Sequence, residues 1–127
     1  MDADLAYAAG LYEGEGSCVV NKCTRTLSTG ERKDYPIARL TIAMTDLEPL
    51  ERFQEALGMG VIYGPYAKGA HKPVYHCHIE GLEKVRQAAY RMMPWLSSRR
   101  KDQIMKVLEY DYNIEPSPKG PRPKVKA

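Results

Sequence analysis

Twice along this chain, two runs of alternating apolar and polar residues lead into a segment with helical periodicity, and that repeat restricts the folds open to it. In "YPIARLTIAMT" (35–45), Leu40, Ile42 and Met44 share one side while Arg39, Thr41 and Thr45 take the other. A period of two marks a strand with one buried face. The β-branched "SCVVNKCTRT" (17–26) precedes it across the polar "LSTGERKD", which contains Gly30, so the two read as neighbouring strands. Leu47, Leu50, Phe53 and Leu57 then form a helical stripe stopped by Gly58. Thr45 and Glu48 have the T-x-x-E spacing of a capping box, and Pro49 fits the first turn.

The second copy starts with "GVIYGPY" (60–66) and "PVYHCHIE" (73–80), where Tyr75, Cys77 and Ile79 alternate with Val74, His76 and His78. "GLEKVRQAAYRMM" (81–93) follows as a helix ended by Pro94, with Leu82, Val85, Ala89 and Met92 inward. A helix over about 4–13, capped by Asp2 or Asp4 and ended by Gly14 and Gly16, opens the chain. Another, capped by Ser97 or Ser98, closes it near Tyr112. The order α-β-β-α-β-β-α-α predicts an α+β fold: a four-stranded antiparallel sheet with helices on one face.

Residues 1–115 make one domain of a size that buries a modest core. Residues 116–127, rich in proline and lysine, offer little to bury and read as a disordered basic tail. The net charge of +3 comes from that tail, because residues 1–116 carry 15 basic and 16 acidic side chains. Bulk charge therefore gives no nucleic-acid signal, and only the placement of charge can. No apolar run is long enough to span a membrane. The acidic "MDADLAYAAG" lacks the basic start of a signal peptide. Three cysteines without CxxC spacing disfavour a disulfide framework or structural zinc, so an intracellular, reducing location is expected. His76 and His78 share a strand face that Cys77 does not, so the three cannot converge on one metal.

The outer face of the sheet collects Asn21, Arg25, Arg39, Thr41, Tyr63, His76 and His78, flanked by Arg32, Lys33, Lys68 and Lys72. Polar and basic groups with interleaved aromatics suit a nucleic-acid groove. An ordinary solvated face has the same composition, and these residues alone do not separate the two.

The first helix ends in "AAGLYEGEG" (8–16), with Glu13 and Glu15 at the end that repels acids. This stretch resembles the LAGLIDADG motif of homing endonucleases position for position. "LTIAMTDLEPLERFQEALGMGVIYG" is similar to the family's second strand, second helix and third strand. "MMPWLSSRRKDQ" resembles its P-x-L…K segment, so the likeness covers roughly residues 4–112. It implies the αββαββα LAGLIDADG fold and, with one motif copy, a homodimer. It also implies activity as a sequence-specific double-strand DNA endonuclease of homing type, cutting across the minor groove.

The resemblance also assigns roles. Ala6, Ala9, Gly10, Glu13 and Gly14 would lie at the dimer interface, where small residues let two helices approach closely. Glu15 matches the motif's metal-binding acid, with Glu in place of Asp, and the Gly14 carbonyl matches a second ligand. The expected cofactor is Mg2+ or Mn2+, with no small-molecule cofactor and no membrane partner. Arg99 stands where the family commonly has a lysine, Lys101 is its alternate, and Asp46 matches a polar position in the cleft. Arg100 is expected to contact DNA. The alternative is a relative that binds DNA or RNA without cutting, as an intron maturase or a transcriptional regulator.

Overall fold

A computed structural model describes residues 2–67, 69, 72–113 and 117–118. Helix α1 (Asp2–Glu15) passes without a loop into β1 (Gly16–Thr26), which pairs with β2 (Arg32–Met44). Helix α2 (Leu47–Leu57), strands β3 (Val61–Tyr66) and β4 (Val74–Glu80) and helix α3 (Leu82–Met92) follow. A 3-10 turn (Met93–Trp95) then leads to α4 (Ser98–Leu108). The antiparallel sheet has the order β1-β2-β4-β3. The fold is the one the alternation implies, with helices on one side of the sheet.

Register decides which side. Gly16, Cys18 and Val20 pair with Ile42, Leu40 and Ala38, and Leu40 and Ile42 pair onward with Ile79 and Cys77. Those side chains point at Ala8, Ala9 and Tyr12 of α1, Leu50, Phe53 and Leu57 of α2, and Val85, Ala89 and Met92 of α3, all buried. Ile104 and Val107 of α4 close the core. Burial also pushes the Cys18 and Cys77 thiols up to about 11, so both stay protonated. Cys77 faces the core while His76 and His78 face outward, which leaves no local zinc set there.

Several boundaries differ from the sequence expectation, each for a reason. Gly14 does not end α1; the helix runs through it to Glu15, where Arg100 donates to the Glu13 carbonyl and to the Gly16 carbonyl just beyond the helix. The Thr45–Glu48 capping box is not formed: Asp46 is the N-cap of α2 and makes no side-chain cap bond. Gly58 does stop α2, in the left-handed conformation (φ 68°), with its N–H reaching the Gln54 and Glu55 carbonyls. Helix α4 stops at Leu108 rather than near Tyr112, whose hydroxyl turns back to donate to the Val107 carbonyl at 2.7 Å. Of the segment expected to be a disordered tail, Ser117 and Pro118 are described, as a short strand β5 beside Asp34 and Lys33 of β2. The rest of it lies outside the described residues.

The turn from helix to strand at Gly16 has no room for a side chain. A Cβ there would overlap the ring of Tyr12, which is itself fully buried and cannot swing away. Gly16→Ala is expected to destabilise the fold by roughly 1–3 kcal/mol, the usual cost of overpacking a filled core, as read from urea unfolding.

Candidate metal centre and nucleic-acid face

The end of α1 and the start of α4 lie side by side and exchange charges. The Ser97 N–H and hydroxyl donate to the two Glu13 carboxylate oxygens at 2.7 and 2.8 Å. In return, Arg100 donates from Nε to the Glu13 carbonyl at 3.1 Å and from Nη1 to the Gly16 carbonyl at 2.8 Å. Glu13 is misplaced on its own helix but sits at the N-terminus of α4, where a helix attracts anions. Arg100 is misplaced on α4 but meets the electron-rich C-terminal end of α1. The Ser97 bonds, with help from the Arg100 and Arg99 charges, hold the Glu13 carboxyl below its ordinary value.

These contacts make Glu13 and Arg100 parts of the scaffold. Arg100, expected to contact DNA, has a side chain only 12% exposed, and its Nε and Nη1 donate within the chain, to Gln103 Oε1 at 3.1 Å as well as to the two carbonyls. Arg100→Met leaves two carbonyls at the end of α1 without their donor. It is expected to lower stability by about 2–3 kcal/mol, the scale for hydrogen bonds to charged groups. Glu13 adds a pH dependence of known sign. Its folded-state pKa lies below the unfolded one, so its contribution is full above about pH 4.5 and is lost as pH falls through the lowered value. The midpoint difference between wild type and Glu13→Gln in urea is expected to be largest near pH 7 and to shrink towards pH 3.

Glu15 has the opposite character. It is exposed, and among the described residues its carboxylate takes no hydrogen bond or ion pair. The Gly14 carbonyl is not among those that Arg100 takes. Two oxygen donors at one helix end suit a hard cation, which wants six or more. No group of three histidine, cysteine, aspartate or glutamate side chains gathers among the described residues. Two donors are at most a third of such a set, so a cation held there would need oxygens from outside this chain.

Beside that helix end, the outer surface of α1 is bare. A Cβ on Gly10 or Gly14 would meet nothing within 4 Å, and Ala6 lies one turn back on the same strip. Ala9, also expected at a dimer interface, is fully buried within its own chain and cannot touch a partner. Arg99 is exposed at the start of α4 and Lys101 is half-buried. Asp46 lines a cleft with Tyr7 and Arg52.

The outer face of the sheet is uncovered by any described element. In register across it lie Ser17, Thr41, His78 and Val61, with Ala43, His76 and Tyr63 on one side of that row and Val19, Arg39 and Glu80 on the other. Tyr63 packs on His78 at 5.1 Å and Tyr66 on His76 at 5.5 Å between ring centroids. Burial holds the His78 imidazole below its ordinary value, and the Arg39 charge pushes the same way against Glu80. Arg39 donates from Nε and Nη2 to one Glu80 oxygen at 2.9 and 2.6 Å, so it is not a free cation. Asn21 turns its Oδ1 to the Lys22 N–H. Arg25 and Lys33 pair on the outer face, whereas Arg32 falls on the alternate row with Thr26. Lys72 is exposed, and Lys68 lies outside the described residues. Val19, Val61 and Tyr66 were not expected on this surface, although Val19 shares the parity of Ser17 and Asn21.

The fold of this chain is that of the LAGLIDADG homing endonucleases. No protein-family model matches the sequence, and no curated protein does. Among solved structures, the homing endonuclease I-CvuI in complex with its target in the presence of calcium is 18% identical, with a TM-score of 0.66 over 85% of this chain and 65% of that one. The group I intron-encoded I-CeuI in complex with DNA is 17% identical, with a TM-score of 0.54 over 84% and 53%. The archaeal intron-encoded I-Vdi141I in complex with DNA is 20% identical, with a TM-score of 0.56 over 82% and 64%. This chain therefore spans less than two thirds of the length of each.

Proposed function

We propose that this protein is a homodimeric, divalent-metal-dependent endonuclease of homing type that cuts double-stranded DNA at a specific site. The observation that carries the reading is the divergence of the two acids. Glu13 is consumed in joining α1 to α4, while Glu15, two residues on, is left exposed beside a bare glycine strip. Two such strips facing each other across a two-fold axis would bring both Glu15 carboxylates together at the ends of their helices. Isolated, the pair repels; a bound cation relieves that repulsion.

Glu15 and the Gly14 carbonyl would hold the ion, Mg2+ or Mn2+. Bound there, it supplies activation of water and neutralisation of charge on the phosphate being cut. Arg99 and Lys101 at the start of α4 offset the same phosphate charge. The uncovered sheet face lies along the major groove, and the intracellular setting expected of a DNA enzyme follows. Arg99 favours one second reading, a relative that binds nucleic acid without cutting, because arginine does not serve as a base.

The test is a randomised duplex library incubated with the full chain in Mg2+, in Ca2+ and in a chelator, with bound and cut molecules sequenced separately. Cutting in Mg2+ alone, at one two-fold symmetric site, is the expected result. Selective binding with no cutting in either metal would replace the nuclease by the binding relative. No selection in any condition removes both.

A further inference from the structure

We infer that the part of each half-site next to the cut is read through thymine methyl groups and neutral donors, because Glu80 withholds the one arginine placed there. This rests on the DNA-cutting function proposed above and says which bases the sheet selects.

The rows of the outer face run outward from the end of α1, since Glu15 immediately precedes β1. Level with that end stands the row Ala43, His76 and Tyr63, then the row of Ser17 and Val61, then Val19, Arg39 and Glu80. Among the described residues in these rows, Arg39 and Glu80 are the only charges, and they cancel. Arg39 spends Nε and Nη2 on Glu80, and one edge of a guanidinium is what grips guanine O6 and N7. The two side chains are 27% and 34% exposed, so the pair lies in the surface rather than above it. His78 adds no charge at neutral pH, since burial keeps its pKa low. Free cations flank these rows rather than standing in them: Lys84 of α3 lines a cleft with Val61, Tyr63, His78 and Glu80, Lys72 is exposed just before β4, and Arg25 and Lys33 lie eight residues beyond Ser17, about 27 Å along the strand.

What the near rows present instead is apolar. Val61 is 53% exposed and Val19 43%, on neighbouring rows of a face nothing covers. In the major groove, thymine is the base that offers a methyl group to such side chains. Guanine readout by arginine is thereby left to the distal end, where Arg25 stands over the Tyr35 ring.

The experiment selects bound duplexes from a random library with the full chain in Ca2+, comparing wild type with three variants. Wild type is expected to enrich thymine within about the first six base pairs of each half, and Val61→Ser to weaken that preference about fivefold. Glu80→Gln removes the charge that holds Arg39, leaving only a neutral acceptor to compete with a base, and is expected to create a guanine preference of roughly tenfold at one symmetric pair of positions. The double variant Glu80→Gln with Arg39→Met should lack it, which ties the gain to Arg39 rather than to a loosened fold. Guanine already enriched near the cut in wild type, or a Glu80→Gln profile identical to wild type, overturns this inference and leaves the nuclease standing. A wild-type chain that selects no duplex overturns the nuclease itself.

Discussion

Glu15→Gln is expected to reduce cutting in Mg2+ by at least about a hundredfold, the scale on which removing a group that stabilises transition-state charge acts. Folding and duplex binding in Ca2+ should survive. The carboxylate makes no contact within the described chain, so its neutral isostere removes nothing that holds α1 in place. Binding without metal should not weaken, because two like charges near the axis, facing phosphates, have been removed. Glu13→Gln provides the contrast. That change strikes the Ser97 bonds and should appear first in the unfolding midpoint, with cutting reduced only as far as the helix ends loosen. If Glu15→Gln cuts as well as wild type, the metal site is not at this helix end. The measurement is single-turnover cleavage of the selected site, beside urea unfolding of the same preparations.

The two acids also show how far the sequence could be read. Side chains on one strand face answer to a period of two, so "YPIARLTIAMT" and "PVYHCHIE" announce their inward and outward residues without any partner in view. The register then places Thr41 against His78 and Ala43 against His76, as that parity demands. Gly58 likewise marks the end of α2 through a local conformational need. Contacts between distant segments carry no such signature. Arg39 and Glu80 are 41 residues apart, and Arg100 meets the Glu13 and Gly16 carbonyls across 87 and 84. A basic residue near a helix start reads equally well as a phosphate contact until the neighbouring helix end is in place. The motif resemblance distinguished Glu15 from Glu13 by position; the structure supplies a physical difference, one acid engaged and the other free. Ala9 marks the limit of counting small residues, because smallness serves packing inside a chain as well as between two.

Gly10→Leu is expected to separate chain stability from association, moving them in opposite directions. Within one chain a Cβ at Gly10 meets open space, and leucine favours a helix over glycine by close to 1 kcal/mol. A dilute, monomeric variant should therefore be at least as stable to urea as the wild-type monomer. Between two chains the result reverses. Helices meeting along Ala6, Gly10 and Gly14 can approach closely only while that strip is bare, and a leucine on each pushes the axes apart. The sedimentation mass should fall from dimer to monomer, and cutting should be lost with it, since in the proposed site each chain supplies only two of the oxygen donors. Folding alone cannot imitate that pattern. If the strip instead served packing within the chain, Gly10→Leu would lower urea stability. If association used another surface, the dimer and its cutting would both persist. Of the residues on α1, Gly10 is the sharper choice for this test, because the Gly14 carbonyl is part of the proposed metal site, and its replacement would confound association with metal binding.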